Sequence, residues 1–180
     1  MSKLKEFSNG KLDNSVYVGI DQSYSGFAIA LLSGDNYHVS VYKSEQKGTD
    51  RLKEIRNHLL DSLLDWDIED VAMEGYAYNV QMAHMAGELG GMVKLTLLND
   101  FGLYPLIVAP AALKKYVTGK GTGIQKNQML LHIYKTWGIE FTDDNAADAY
   151  ALAKLASGAS EKAYQREVVE KLQDPKFRNV

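Results

Sequence analysis

Three acidic residues stand at places where a carboxylate is out of the ordinary, and their types are those of an oxygen-rich ion site. Asp21 closes the run Val16-Tyr17-Val18-Gly19-Ile20, whose β-branched residues read as a buried strand. Glu74 closes a second short strand, Ile68 to Met73. Asp148 lies in Asp144 to Ala156, a helical pattern with Thr142 or Asp143 as N-cap. Asp144 stands four residues before Asp148, one helical turn away, so the two share a face. Asn145, three before Asp148, borders that face, and Asp143 falls on another side. Alone, Asp21 reads as a turn cap. Together, the acidic positions are Asp21, Glu74, Asp148 and one of Asp144 or Asn145.

Such carboxylates repel one another as bare anions and drive each other's pKa upward. Divalent cations make the cluster stable. All-oxygen ligands select hard ions, Mg²⁺ or Mn²⁺, and the chain has no cysteine and no convergent histidines to favour zinc. Two such ions about 4 Å apart clamp the attacking and leaving oxygens of a phosphoryl displacement. Phosphodiester hydrolysis is the natural chemistry.

The elements that must position these residues read as follows. After the first strand, Gln22 to Gly26 is turn-prone and Phe27 to Leu32 returns as the second arm of a hairpin. Asn36 to Tyr42 is a third strand, and Asp50 to Trp66 has apolar residues at helical spacing. Gln81 to Asn99 is the longest helical pattern; its stripe Met82, Met85, Leu89, Met92 predicts core packing, and His84 a structural role. Gly87 and Gly91, one turn apart, allow close approach of another backbone, either within the chain or in a dimer. Leu103 to Ala109 is a strand, Pro110 opens a helix through Val117, Thr118 to Gly123 is a mobile loop, and Lys126 to Trp137 is a helix. From Ser157 the chain is a charged helix or a partly disordered tail. This order predicts an α/β fold, one mixed sheet with helices against its faces. The expected organisation is a single domain over residues 1–180, with its core at about 16–156 and a polar N-terminal arm.

Charge adds a partner. Between Phe101 and Ile139 there is no Asp or Glu, while Lys114, Lys115, Lys120, Lys126 and Lys135 all fall there; that segment carries +5, leaving −8 for the rest of a chain whose net charge is −3. Segregation of this kind suits a surface that faces a polyanion. The absence of cysteine suits a reducing cytoplasm and excludes thiolate metal sites and cysteine nucleophiles. No apolar run reaches the roughly 18 residues a membrane span needs, and the first 15 residues do not read as a signal peptide. A cytoplasmic protein is expected.

VGIDQSYSGFAIAL, VAMEGYAYN, KKYVTGKGTGIQKNQ and DDNAADAYALA, in this order and spacing from about Val16 to Ala156, resemble the RuvC-type Holliday junction resolvases, especially the phage-encoded branch. The resemblance implies an RNase H-like fold, a homodimer, and Mg²⁺-dependent paired incisions in four-way DNA junctions, with Mn²⁺ able to substitute and two ions per site. It makes Asp21, Glu74 and Asp148 metal ligands. The family's fourth acid usually lies three residues before the last, where this chain has Asn145; the adjacent Asp144 is the expected substitute. Lys114 or Lys115 before the loop and Lys126 after it match lysines that face backbone phosphate, where cations stabilise developing charge, and Lys120 is a DNA-binding candidate within the flexible loop. Tyr76 and Tyr78, just past Glu74, fall where the family places an aromatic that stacks on bases at the junction. TGKGTG is not a phosphate-binding P-loop, because Gly121 replaces the Ser or Thr after the lysine and a helix precedes it.

Two other readings compete. Asn145 in place of an acid would suit a branched-DNA-binding protein with weak or absent catalysis. A sugar- or acetate-kinase-like fold also begins with a strand-end Asp hairpin, but it needs a second phosphate-binding hairpin and a longer chain.

Overall fold

The computed structural model describes residues 15–75 and 83–178. The first hairpin forms because its apolar runs alternate faces. β1 (Ser15–Gln22) sends Val16, Val18 and Ile20 into one core and Tyr17, Gly19 and Asp21 to the other face. It pairs antiparallel with β2 (Phe27–Ser33), which pairs antiparallel with β3 (Asn36–Tyr42). β4 (Asp67–Glu74) lies parallel to β1 on its other side, and β5 (Leu106–Val108) parallel to β4, giving the order β3-β2-β1-β4-β5. The sheet is mixed, as expected.

Each face has its own core. Against the first pack α1 (Gly48–Leu63) and α2 (Ala83–Phe101), through Ile55, Leu59, Leu63, Leu89, Val93 and Leu97. The second face is covered by α5 (Asp144–Ala156), with α3 (Pro110–Thr118), α4 (Lys126–Trp137) and α6 (Ala163–Leu172) around it. The alanines of α5 let it lie directly on β1: a Cβ added to Gly19 would stand 1.9 Å from the carbonyl oxygen of Ala149 and 2.3 Å from the amide of Ala153. Only glycine permits that approach, and it sets the depth at which α5 sits.

Several expectations change. Asp21 is not the last residue of its strand, since Gln22 continues the pairing opposite Phe27. β5 has three residues rather than the seven expected from Leu103 to Ala109. Gly102 at φ 69 and the amide of Leu103 cap α2 instead, the latter donating to the carbonyl of Leu97 at 3.1 Å, and Pro105 has no N–H to give a ladder. α1 starts two residues earlier than the sequence pattern and ends three earlier. The start of the Gln81–Asn99 pattern, with Met82, lies outside the described residues; within them, Leu89 is buried but Met85 and Met92 are half-buried and His84 is exposed. After Ser157 the chain is structured: α6 puts Val168 and Leu172 into the second core, and Arg178 forms a bidentate pair with Asp70 of β4 at 2.8 and 2.6 Å. Among the described residues no helix is long and apolar enough to cross a membrane.

Candidate active site

The strand register places the first two carboxylates. Ile20 pairs with Met73, so Asp21 and Glu74 are the next step along adjacent parallel strands, and both point to the face that α5 covers. Gln22 ties the two strand ends together, its Nε2 donating to the carbonyl of Glu74 at 2.7 Å. α5 then adds its first turn. Asp143 is the N-cap, accepting from the amides of Asn145 and Ala146 at 2.9 and 3.2 Å, and this fixes where Asp144 and Asp148 emerge. Because Gly19 admits α5 so closely, Asp148 arrives beside the two strand carboxylates.

Electrostatics record the convergence. Asp21 is only 4% exposed, and burial, then the charges of Glu74 and Asp148, hold its carboxyl well above the usual range, against the amide of Ser23 that donates to it at 3.1 Å. Burial, followed by the charge of Asp148, raises Glu74 to about 7. Asp148 is raised to about 6 by burial and then by Asp144. Lys114 acts in the opposite sense on both. Asp144 alone is lowered, because the Lys126 ammonium donates to its Oδ2.

Glu74, Asp144 and Asp148 line a groove of about 170 Å³ and face Lys114 and Lys126 across a partly apolar floor that includes Met129 and Ile124. The donor set is entirely carboxylate oxygen, and three of the carboxylates are held where their charge is unfavourable; both features suit a hard divalent ion. Among the described residues no three acidic or histidine side chains converge tightly enough to hold one ion as they stand.

The remaining residues singled out from the sequence divide. Asp144 lines the groove. Asn145 turns to the β1–β2 hairpin instead, where its Nδ2 would lie 2.7 Å from a Cβ on Gly26. Lys114 faces the groove, whereas Lys115 turns away to α6 and pairs with Glu167 at 2.5 Å. Lys120 is exposed on the loop after α3, which is held by Thr118, whose Oγ1 accepts from the Lys120 amide at 3.1 Å and donates to the Lys114 carbonyl at 2.9 Å. Tyr76 and Tyr78 lie outside the described residues. Gly87 and Gly91 are exposed, and a Cβ on either would meet nothing within 4 Å, so neither serves a close contact among the described residues.

Two residues of the turn after Asp21 were not singled out from the sequence. Gln22 reads there as part of a turn, yet it is buried, with Oε1 lacking a partner. Tyr24, in the same turn, carries the Arg51 guanidinium 3.9 Å above its ring, and Arg51 also donates to its carbonyl. A second polar side chain directly after Asp21 was the available signal for Gln22; nothing in the sequence joins Tyr24 to Arg51.

No protein-family model and no curated protein matches the chain. Solved structures do. Thermus thermophilus RuvC superposes with a TM-score of 0.64 at 21% identity, over 88% of this chain and 96% of that one. T. thermophilus RuvC in complex with Holliday junction substrate superposes with a TM-score of 0.65 at 21% identity, over 77% of this chain and 90% of that one. The likeness establishes the fold, an RNase H-like α/β fold of the RuvC type.

Proposed function

We propose that this chain is a divalent-metal-dependent endonuclease that resolves four-way DNA junctions by paired phosphodiester hydrolysis. The observation that carries the reading is the convergence of Asp21, Glu74 and Asp148, from three separate elements, beside a groove that Glu74 and Asp148 line and two lysines overlook. The RuvC-type fold supports it, since one structure of that fold is a complex with a Holliday junction substrate.

Asp21, Glu74 and Asp148 would hold the ions, with Asp144 as the fourth ligand and Asn145 beside it. Bound Mg²⁺ or Mn²⁺, two ions per site, supplies a polarised phosphate and an activated water. Lys114 and Lys126 neutralise the phosphate entering the groove, and Lys120 and Lys115 add longer-range attraction for the DNA backbone. Gln22 fixes the main chain at Glu74 and so holds that carboxylate to β1. Tyr76 and Tyr78 are the proposed base-stacking residues.

Symmetric cutting of two strands needs two sites, so a homodimer is part of the proposal. α2 offers a surface for it: Gly87, Gly91 and Leu95 follow one another at four-residue intervals, and Leu95 is 58% exposed. The motifs of the chain favour the phage-encoded branch and, with it, the cytoplasm of a bacterial host.

The test is incubation of the purified protein with an end-labelled four-way junction and a matched linear duplex, in Mg²⁺, in Mn²⁺ and in chelator. Metal-dependent, paired nicks on the junction alone are expected. The second reading, a branched-DNA-binding protein with weak catalysis, is motivated by Asn145 and predicts tight junction binding without turnover in either metal.

A further inference from the structure

Lys126 occupies a position its own helix does not favour. It is the first residue of α4, where the helix dipole repels a cation, and α4 has no acidic residue in its first turn to compensate. Its side chain is 82% exposed, so packing does not hold it there either. What holds it is Asp144, to which its ammonium donates across the mouth of the groove. Asp148 and Asp21 also lie within its electrostatic reach. Of the three acidic residues that line the groove, Asp144 is therefore already matched with a cation, and that cation belongs to the chain.

Resting on the nuclease reading above, we propose that Lys126 is a tethered counter-ion that competes with a divalent ion for Asp144, and that arriving DNA phosphate draws it away. DNA-free protein would then take ions unequally: one would draw Asp21, Glu74 and Asp148 together around it, and a second, weaker one would have to displace Lys126 from Asp144. A phosphate that recruits the ammonium frees Asp144, so DNA and the weaker ion bind cooperatively, and by linkage the ion strengthens DNA binding by the same factor. Full loading of the site would thus wait for the substrate. An exposed ion pair of this kind is weak, so the expected effect on ion affinity is modest, about two- to fivefold.

Calorimetric titration of the full chain with Mn²⁺, without DNA and with a saturating phosphorothioate-blocked four-way junction, tests this without relying on activity. In DNA-free protein, Lys126→Met is expected to bind the weaker ion about two- to fivefold more tightly than wild type, with Lys126→Arg close to wild type. Junction DNA should tighten that ion in wild type and lose most of this effect in Lys126→Met. Asp144→Asn should abolish the weaker ion and leave the stronger. Equal or weaker binding of that ion by Lys126→Met, or both ions unchanged in Asp144→Asn, overturns the competition and leaves the nuclease reading standing. Failure of wild type and Lys126→Met alike to bind any Mn²⁺ overturns both.

Discussion

Burial raises Glu74 to about 7 and Asp148 to about 6, and Lys114 pulls against both shifts from the side of the groove. That opposition gives Lys114 a role that its neighbour in the chain does not share. Adjacent residues on a helix point about 100° apart. Lys114 therefore meets the carboxylates while Lys115 meets Glu167 on α6. Lys114→Met is expected to reduce junction cleavage about tenfold or more, as loss of a charge that stabilises the reacting phosphate does. Lys115→Met should stay within about threefold of wild type in single-turnover cleavage, since it removes an exposed ion pair distant from the groove. The choice between these lysines was not legible in the sequence, because two consecutive lysines before a loop have no pattern around them to say which faces inward. The choice between Asp144 and Asn145 was closed to spacing for the same reason: both border the face of Asp148. In the structure Asp144 lines the groove, while the hairpin brings Gly26 against Asn145.

At the scale of elements, the site depends on how closely α5 lies on β1. A Cβ at position 19 would overlap backbone atoms of Ala149 and Ala153, which cannot move aside as a flexible side chain can. Gly19→Ala is expected to cost about 3 kcal/mol or more of stability in denaturant unfolding, the upper end of overpacking effects, and to displace Asp148 from Asp21. Ala153→Gly, which opens no clash, should cost only about 1 kcal/mol through helix propensity. Sequence reading was strongest where local signals agree. α4 and α5 begin and end at the residues expected of them; Asp143 caps the start of α5, and Gly138 closes α4 in the left-handed conformation. β2 and β3 read almost as clearly from their apolar runs and turn residues. β5 did not, since Leu103 and Tyr104 look like strand residues but the Leu103 amide closes α2 and Pro105 follows them. Gln22 escaped for a tertiary reason: its partner, the Glu74 carbonyl, is 52 residues away.

For the whole molecule, the raised carboxylates make stability depend on pH and metal together. Glu74 moves from an ordinary 4.5 to about 7 on folding, and Asp148 from 3.8 to about 6. Between those values the folded chain binds more protons than the unfolded chain, so stability falls as pH rises through this window and levels off above it. Asp144 and Asp174, both held below the usual range, titrate beneath the window and act in the opposite sense there. In chelator, the melting temperature should therefore drop between pH 5 and pH 7.5, by about 2–4 °C for each kcal/mol lost. Adding Mg²⁺ or Mn²⁺ at pH 7.5 should restore it, because ions that bind only the folded state stabilise it by mass action. A melting temperature that rises steadily from pH 5 to pH 7.5 in chelator would argue against a buried, mutually repelling cluster.

The most direct test of the central claim asks whether Asp21, Glu74 and Asp148 act in cleavage and not in holding DNA. Junction binding and junction cleavage would be measured side by side for wild type, Asp21→Asn, Glu74→Gln and Asp148→Asn with Mg²⁺. Loss of a neighbour of a metal ligand typically costs 10- to 100-fold, and loss of a ligand itself is expected to cost more than about 100-fold in cleavage. Junction affinity should stay at or above that of wild type, since each change removes a negative charge facing the phosphates. Metal-dependent nicking that persists at wild-type rates in any of the three variants would contradict the account.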